Sequence, residues 1–448
     1  MPPDPATAAR VPPPLPPSSG IETSLAYRAL VRLGTALLPF AGLVSPRIRA
    51  SARARANGVA GFLAWSEVQR NPARPLTWFH APSVGEGLQA LAVLERVRSR
   101  HPDWQFAYTH FSPSAARFAM KAEADVHGYL PWDTPGAAEV MLRALKPSVL
   151  VFTKLDLWPE LATRAARSGV PVVLVAATVS PGSSRLGGLA RALLRPGYAA
   201  VSAAGAIAAG DAERLVRLGV APERITVLGD PRFDSVLDRR ALVADDDPLL
   251  GFGRGAPTLV AGSTWPADEA VLLPAFQAVR RQRDDARLIL APHEPTREHL
   301  AGIARSAVRL GLPAPVPLSH ATDPAPLIVV DRVGVLATLY GSGSMAYVGG
   351  GFGTAGLHSV LEPAAWGVPV AFGPWWRESR DAALLLEAGA AVALEAADPI
   401  AQLSALWLDW MGNEARRADQ GDRARRVVES GRGAAERSAA LVEAMVRR

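Results

Sequence analysis

The feature that most limits what this chain can fold into is a run of glycines between two short apolar segments. Residues 345–348 read as a strand, and five of the eight residues from 349 to 356 are glycine. Apolar residues at helical spacing follow over 357–366, and residues 368–372 read as another buried strand. A strand, a glycine loop, a helix and a second strand predict a βαβ unit of a parallel sheet, whose backbone can approach a ligand closely.

Glu362 falls near the start of the helix predicted in this unit. A helix N-terminus attracts anions, so a carboxylate there is poorly placed to hold a phosphate. It is well placed to accept two hydrogen bonds from the vicinal hydroxyls of a ribose or another sugar. The residues alone leave two interpretations open: a nucleotide-type site, or an ordinary βαβ turn with a solvated glutamate.

The same alternation of strand and helix runs through most of the chain. In the first half, we predict strands at 76–80, 104–109, 128–131, 148–153, 170–177 and 203–208, and in the second half at 258–261, 286–291 and 327–330. A polar, acidic stretch ending at Asp247 separates the halves. The chain is therefore predicted to be α/β, with two Rossmann-like doubly wound parallel-sheet domains facing a cleft. Glycosyltransferases of the GT-B type, related epimerases and other two-domain proteins share this arrangement, so it does not decide the function.

Composition removes several classes of chemistry. The chain has no cysteine, which excludes disulfides, thiolate metal sites and a cysteine nucleophile. Its eight histidines show no metal-ligand spacing, so no metal is expected. The net charge of +6 comes from arginines spread along the chain rather than clustered. This pattern favours an anionic lipid surface or a phosphorylated substrate, and no nucleic-acid partner is predicted.

The N-terminal region changes character at about residue 25. Residues 1–20 contain eight prolines and are expected to be extended or disordered. Residues 27–44 form an apolar helical stretch that is too short to span a bilayer, followed by a basic flank of Arg47, Arg49, Arg53 and Arg55. We expect this segment to lie on an anionic membrane surface. The alternative is a helix packed on the protein's own core.

Six motifs together resemble the Kdo transferases, which transfer 3-deoxy-D-manno-octulosonic acid from CMP-Kdo to lipid A precursors in bacterial lipopolysaccharide synthesis. The resemblance runs from about Tyr27 to the C-terminal helices. The motifs are Trp78-Phe-His-Ala-Pro-Ser-Val-Gly-Glu86, Leu157-Trp-Pro159, Gly229-Asp-Pro-Arg-Phe-Asp234, Ala261-Gly-Ser-Thr264, Pro292-His293 and Leu357-His-Ser-Val-Leu-Glu-Pro-Ala-Ala365. It implies an inverting GT-B enzyme that uses CMP-Kdo, lipid IVA as acceptor and no cofactor. It also implies a peripheral or monotopic position on the cytoplasmic face of the inner membrane.

With that resemblance, four segments are predicted. They are a disordered Pro-rich leader (1–24), a membrane-associating basic helical segment (25–58), an N-terminal acceptor-side domain (59–240) and a C-terminal donor domain that includes the C-terminal helices (241–448).

The resemblance also implies individual roles. Arg232 would lie near the leaving phosphate and the Kdo carboxylate, where it supplies positive charge. Ser83 and Gly85 belong to the substrate-binding motif that ends in Glu86. The positions implied to bind the cytidine nucleotide are Pro292, His293, Val333, Gly334, Val335, Ser359, Val360, Leu361 and Glu362.

The chain departs from the family pattern at its acidic positions. The family's general base is a glutamate after the membrane segment, where this chain has Arg55, and no acidic residue occurs between Glu22 and Glu67. An arginine cannot deprotonate a sugar hydroxyl. Lys154 also stands where the family has a glutamate. Asp156 or Glu86 would then have to serve as the base, or a carboxylate from elsewhere in the chain. The alternative hypothesis is an inactive or acceptor-altered paralogue that binds a nucleotide or lipid at the membrane.

Overall fold

A computed structural model describes residues 21–120, 122–322 and 325–446, so most of the predicted leader lies outside the described residues. The strands are β1 (Leu76–His80), β2 (Gln105–His110), β3 (Val126–Tyr129), β4 (Val149–Thr153), β5 (Val172–Ala177), β6 (Ala203–Ala206), β7 (Ile225–Val227), β8 (Thr258–Thr264), β9 (Arg287–Pro292), β10 (Val316–Pro317), β11 (Leu327–Val329), β12 (Met345–Val348), β13 (Val370–Phe372) and β14 (Ala391–Ala393).

The α-helices surround these strands and follow most of them in the chain. They are α1 (Leu25–Val44), α2 (Pro46–Val68), α3 (Val84–Arg100), α4 (Pro113–Ala119), α5 (Pro135–Leu145), α6 (Pro159–Arg167), α7 (Gly188–Ala199), α8 (Ala209–Leu218), α9 (Pro231–Ala241), α10 (Pro266–Arg280), α11 (Arg297–Arg309), α12 (Leu336–Leu339), α13 (Leu361–Ala365), α14 (Arg380–Glu387), α15 (Pro399–Gly412), α16 (Glu414–Ser430) and α17 (Ala434–Val446).

Two compact units contain these elements. Unit 1 comprises residues 1–235 and 432–448, and unit 2 comprises residues 236–431. Unit 1 holds a parallel sheet of order β3-β2-β1-β4-β5-β6-β7, and unit 2 a parallel sheet of order β10-β11-β9-β8-β12-β13-β14. Strand order reverses between β1 and β4 in the first sheet and between β8 and β12 in the second. The predicted pair of doubly wound parallel sheets is confirmed, and each reversal point is where such a sheet binds its ligand.

The last helix differs from the prediction that placed all of residues 241–448 in the second domain. Helix α17 belongs to unit 1, where Leu441 and Val442 pack in the same buried cluster as Val149 and Val151 of the sheet. The Asp234 carboxylate accepts hydrogen bonds from the backbone N–H groups of Gly433 at 2.7 Å and Ala435 at 2.8 Å. The apolar face of α17 and this cap together hold the helix to the first sheet.

The helix predicted over 357–366 is shorter than expected, because α13 covers only Leu361–Ala365. The preceding loop instead folds back on the end of β12, where the His358 N–H donates to the Gly349 carbonyl at 3.1 Å. Gly350 has a φ of 92°, and a Cβ added there would overlap the carbonyl of Gly356. The glycines therefore allow a tight loop rather than an earlier helix start.

Helix α1 is attached to unit 1 through its first turn. The Tyr27 hydroxyl donates to the Asp133 carboxylate at 2.6 Å, and the Arg28 guanidinium pairs with the buried Glu160 at 2.9 Å. Further along, α1 exposes Leu33, Leu37 and other large apolar side chains. No helix among the described residues is both long enough and apolar enough to cross a membrane.

Candidate functional site

Three side chains meet at the reversal point of the first sheet, where β1 and β4 end. His80 is the last residue of β1, and Asp156 lies just beyond β4. The Asp156 Oδ2 atom lies 3.2 Å from His80 Nε2 and 3.3 Å from the Trp158 indole Nε1. The second carboxylate oxygen, Oδ1, lies 3.9 Å from an Arg185 nitrogen. The side chain of Asp156 is 28% exposed, so a substrate can reach it.

The environment of Asp156 keeps its carboxyl ionised. Burial raises its pKa, but the hydrogen bonds from His80 and Trp158 and the positive charge of Arg185 more than offset that effect, and the pKa is lowered overall. The carboxylate is therefore ready to accept a proton at neutral pH.

His80 was missed by the sequence reasoning, although it is the last residue of a predicted strand inside a quoted motif. The residue is fully buried. Its Nδ1 atom lies 3.0 Å from the Thr109 hydroxyl, which also accepts a hydrogen bond from the Trp78 indole at 2.9 Å. The available signal was its position at the carboxyl end of a central strand.

Glu86, the other candidate base, is held by a cation. It lies in the first turn of α3, next to the predicted substrate-binding residues Ser83 and Gly85. Lys154 Nζ lies 3.0 Å from Glu86 Oε1, and the Ser83 hydroxyl donates to Oε2. Burial raises the pKa of Glu86, but the Ser83 hydrogen bond and the Lys154 charge lower it overall. Both carboxylate oxygens thus have partners within the protein.

Lys154 also has an unusual backbone. Its φ of 63° is in the left-handed region. Two residues near the ends of other strands share this conformation: Ala176 of β5, with a φ of 53°, and Ser263 of β8, with a φ of 54°. Such conformations cost roughly 1–3 kcal/mol each in non-glycine residues and are frequent at functional sites. All three are near the carboxyl ends of central strands, where the candidate site residues lie.

Arg55 does not belong to the exposed basic flank that the sequence predicted. It is 3% exposed, and its guanidinium lies 4.0 Å from the ring centre of Phe111 and 4.4 Å from that of Trp132. It also donates to the Ser51 hydroxyl at 2.6 Å and to the Phe111 carbonyl at 3.1 Å. Cation–π contacts and these hydrogen bonds turn the side chain inward. Arg49 and Arg53 remain exposed, and the side chain of Arg47 is outside the described part.

Arg232 is paired within unit 1. Its guanidinium lies 2.6 Å from Asp230 Oδ2, and the Asp230 carboxylate also accepts a hydrogen bond from Gln89 at 3.0 Å. Burial raises the pKa of Asp230, but the charge and hydrogen bonds of Arg232 lower it overall. The pair fixes the direction of the Arg232 side chain, and its role toward a leaving phosphate stays a prediction.

Three aromatic rings gather at the reversal point of the second sheet. The Trp265 indole Nε1 donates to His358 Nε2 at 3.0 Å, and the two ring planes differ by only 13°. The predicted nucleotide residue His293 stacks on both, with ring centres 4.8 Å from Trp265 and 4.5 Å from His358. The rings come from the loops after β8, β9 and β12, so one sheet edge assembles them.

The hydrogen bond from Trp265 determines the protonation of His358. An indole N–H can only donate, so Nε2 of His358 must accept and the ring proton resides on Nδ1. Burial, with a smaller effect of His293, lowers the pKa of His358 to about 4. The ring is therefore neutral at pH 7 and keeps one N–H for donation.

Asp268 braces this aromatic cluster from below. It accepts hydrogen bonds from the backbone N–H groups of Gly350 and Trp265 and from the Tyr347 hydroxyl, each at 2.9 Å. Burial raises its pKa despite these hydrogen bonds. One buried carboxyl group thus fixes both the glycine loop and the Trp265 backbone.

The remaining predicted nucleotide positions also lie at loops or strand ends of unit 2. Pro292 ends β9, Val333 and Gly334 lie in the loop after β11 with Val335 next to α12, and Ser359 is exposed before α13. The side chains of Val360 and Leu361 are fully buried in the unit, so only their backbone could meet a ligand.

Glu362 lies in the first turn of α13 and carries an ion pair. Arg239 Nη1 lies 3.0 Å from Glu362 Oε1. The role of Glu362 toward a ribose hydroxyl stays a prediction. Among the described residues, no three His, Asp or Glu side chains are grouped as metal ligands.

The two sheets have the fold of GT-B enzymes. MurG from Acinetobacter baumannii superposes with a TM-score of 0.53 at 14% identity, over 83% of this chain and 99% of MurG. The protein therefore has the GT-B fold, with a separate loop cluster at the strand ends of each sheet.

Sequence comparison finds relatives of one named kind. The family model for 3-deoxy-D-manno-octulosonic-acid transferase (kdotransferase) matches residues 57–235. The 3-deoxy-D-manno-octulosonic acid transferase of Chlamydophila psittaci is 29% identical over 329 residues, which are 72% of this chain and 75% of the relative. The 3-deoxy-D-manno-octulosonic acid transferase of Bordetella pertussis is 28% identical over 385 residues, which are 83% of this chain and 88% of the relative. The chain is therefore similar to the Kdo transferases over most of its length.

Proposed function

We propose that the protein transfers Kdo from CMP-Kdo to a hydroxyl of a lipid A precursor of the lipid IVA type, with inversion at the anomeric carbon. The observation that carries this proposal is the Asp156 carboxylate at the reversal point of the first sheet, held at one oxygen by two donors. Similarity to the Kdo transferases supports the donor and the class of acceptor. The reaction is proposed to need no metal or other cofactor.

In the proposed reaction Asp156 removes the proton from the acceptor hydroxyl. The acceptor oxygen then forms a bond to the anomeric carbon of Kdo, and the bond from that carbon to the phosphate oxygen breaks. The electron pair leaves with CMP, and a single displacement inverts the anomeric centre. Arg232 is proposed to offset the negative charge of the leaving phosphate and of the Kdo carboxylate.

Asp156 is preferred to Glu86 because of the partners of the two carboxylates. Glu86 accepts from Lys154 and Ser83 at separate oxygens. Asp156 receives both of its hydrogen bonds at Oδ2, while the nearest cation to Oδ1 is 3.9 Å away. A base needs an oxygen within hydrogen-bonding reach of the proton it removes.

The test is transfer from CMP-Kdo to a tetraacylated lipid A precursor by the purified full chain, with and without EDTA. We expect product in both conditions, a loss of about 10²–10⁴-fold in kcat for Asp156→Asn, and a smaller loss for Glu86→Gln. The matched control is Asp285→Asn, which removes an exposed carboxylate in unit 2. Equal activity of Asp156→Asn and wild type would refute the assignment of the base.

A titration of the protein with CMP tests the alternative function. CMP binding without transfer would favour an inactive or acceptor-altered paralogue, and no CMP binding would show a different donor.

We also propose that α1 places the protein on the cytoplasmic face of the inner membrane as a peripheral or monotopic protein. Leu33 and Leu37 are 60% and 53% exposed, with more apolar side chains along the same helix. In flotation with phosphatidylglycerol-containing vesicles, the double substitution Leu33→Asp and Leu37→Asp should release the protein. Leu189→Asp, at an exposed leucine of α7, is the control and should still float. Unchanged flotation of the double variant would refute this site of attachment.

A further inference from the structure

A chain of hydrogen bonds runs from the interior of the first sheet to Asp156. The Trp78 indole N–H meets the Thr109 hydroxyl oxygen at 2.9 Å, and this hydroxyl lies 3.0 Å from His80 Nδ1. His80 Nε2 then lies 3.2 Å from Asp156 Oδ2. The first three residues are fully buried, and the chain ends at the partly exposed carboxylate.

The donors and acceptors along this chain of hydrogen bonds all point in one direction, from Trp78 toward Asp156. An ionised carboxylate can only accept, so the proton of His80 must be on Nε2. A neutral ring with that proton needs a donor at Nδ1. The Thr109 hydroxyl can supply it, because Nδ1 at 3.0 Å is nearer than the Phe79 carbonyl, the other acceptor for this hydroxyl, at 3.3 Å. The oxygen of Thr109 in turn accepts from the indole of Trp78, which can only donate. Each group therefore donates toward Asp156, and Thr109 sets the tautomer of His80.

Both hydrogen bonds to Asp156 arrive at the same oxygen. His80 and the Trp158 indole each donate to Oδ2, at 3.2 and 3.3 Å. Their rings are perpendicular, with an angle of 88° between the planes, so they restrain the carboxylate from two directions. Oδ1 is left facing Arg185 at 3.9 Å.

We propose that His80 is a positioning residue, which holds Asp156 through Oδ2 so that Oδ1 accepts the proton of the acceptor hydroxyl. This assignment rests on the proposed function, with Asp156 as the base. His80 does not itself touch the substrate because it is fully buried. It acts through Asp156, and Thr109 acts through His80.

Aromatic, histidine and arginine side chains from neighbouring elements surround His80 and Asp156. Phe152 of β4 and Trp158 meet the His80 ring edge to face. His110 at the end of β2 is the neighbouring histidine, and Arg185 faces Asp156. Burial lowers the pKa of His110 to about 4. His110 is therefore neutral at pH 7 and does not change the charge around Asp156. The donated hydrogen bond of His80 favours the ionised form of Asp156.

The main experiment compares His80→Phe, His80→Gln and Thr109→Val with His127→Phe, which removes an exposed histidine of β3. His80→Phe removes the donor and should lower kcat by about 10²-fold, because a carboxylate misplaced by an ångström is a poor base. It should also move the acid limb of the pH–rate profile to higher pH, since the carboxylate loses a stabilising donor. His80→Gln can still donate and should recover most of kcat. The KM for CMP-Kdo should stay at the wild-type value in all of them.

A readout without activity keeps this inference separate from the proposed function. Nitrogen-15 NMR of the histidine rings should show the Nε2–H tautomer for His80 in wild type and a mixture in Thr109→Val. If wild type shows this tautomer but transfers no Kdo, the proposed function fails and the hydrogen-bond chain stands. An Nδ1–H or doubly protonated His80, or an acid limb that His80→Phe leaves in place, would overturn the inference.

Discussion

The two sheets end in loop clusters of opposite chemical character. In unit 1 the cluster is charged: Asp156 faces Arg185, and Glu86 is paired with Lys154. In unit 2 it consists of the rings of Trp265, His293 and His358 beside a glycine loop. His358, with a pKa of about 4, carries no charge at pH 7. The same topology therefore carries ionised side chains at the strand ends of one unit and neutral rings beside a glycine loop in the other.

The difference follows from the side chains that precede and follow the strands. Unit 1 places carboxylates and cations next to its reversal point, where each charge has a partner and the pKa values of Asp156 and Glu86 are lowered. In unit 2 the carboxyl of Asp268 is buried beneath the loop and its pKa is raised. The carboxylates of the unit 1 cluster are thus ionised and partly exposed, whereas the carboxyl group of the unit 2 cluster is buried beneath the glycine loop.

The largest effect is expected when a carboxylate is placed inside the aromatic box of unit 1. Arg55→Glu would restore the residue type of the family's base, but in a box formed by Phe111 and Trp132. We expect a loss of about 3–5 kcal/mol in the free energy of unfolding, because the new charge is buried without a cation. Thermal unfolding measures this, and Arg53→Glu on the exposed side of α2 should change stability by less than about 0.5 kcal/mol. Equal losses in the two variants would show that the box does not bury its cation.

Acid should weaken unit 2 through His358. Its folded pKa of about 4 is below the ordinary value of 6.5, so the unfolded chain binds a proton that the folded chain does not. This contribution to stability is present above pH 6.5 and is lost as the pH falls toward 4. Thermal melts across this range should show a smaller decrease for His358→Gln than for wild type. The control His320→Gln, at an exposed histidine of unit 2, should follow wild type, and identical curves for all three would contradict the assignment.

Reversing one charge of the Lys154–Glu86 pair should have an intermediate effect. Lys154→Glu places a second carboxylate opposite Glu86 and should cost about 1–2 kcal/mol in the free energy of unfolding, reduced by the exposure of Lys154. The swapped double variant, Lys154→Glu with Glu86→Lys, should recover most of that loss. Denaturant titrations of wild type, Lys154→Glu, Glu86→Lys and the double variant form a double-mutant cycle. A coupling energy near zero would mean that the 3.0 Å contact contributes nothing.

The smallest effect is expected from removing one hydrogen bond of the neutral cluster. Trp265→Phe keeps an aromatic ring for stacking but removes the N–H that holds His358. The pKa of His358 should rise from about 4 toward its ordinary value, and CMP-Kdo should bind roughly threefold to tenfold more weakly, the cost of about one hydrogen bond. NMR titration and calorimetry measure the two quantities. Trp375→Phe, at an exposed tryptophan of unit 2, should change neither; an unmoved His358 pKa in Trp265→Phe would break the proposed link.

Strands were predictable because buried parallel strands are short apolar runs between turns. Leu76–His80 and Met345–Val348 have the predicted bounds. Asp156 was a candidate through the resemblance, because it directly precedes the Leu157-Trp-Pro159 motif. His80 was not found, since a histidine at the end of an apolar run gives no sign of the Thr109 and Asp156 contacts that come from other strands. Arg55 was assigned to a basic flank for the same reason: the rings that surround it lie 56 residues and more along the chain. Contacts between distant segments are what a local pattern lacks.

The attachment of α17 to the first sheet has a consequence for how the protein is made. Asp234 and its partner Ala435 are 201 residues apart in sequence, and all of unit 2 is translated between them. At a synthesis rate of about 5–20 residues per second, roughly 10–40 s pass between the synthesis of the first sheet and that of the helix that covers it. During that interval the apolar surface beside Val149 and Val151 is open to the cytosol, while unit 2 emerges as a continuous segment that can fold first. Nascent chains halted before residue 434 should therefore be the ones that chaperones bind most strongly.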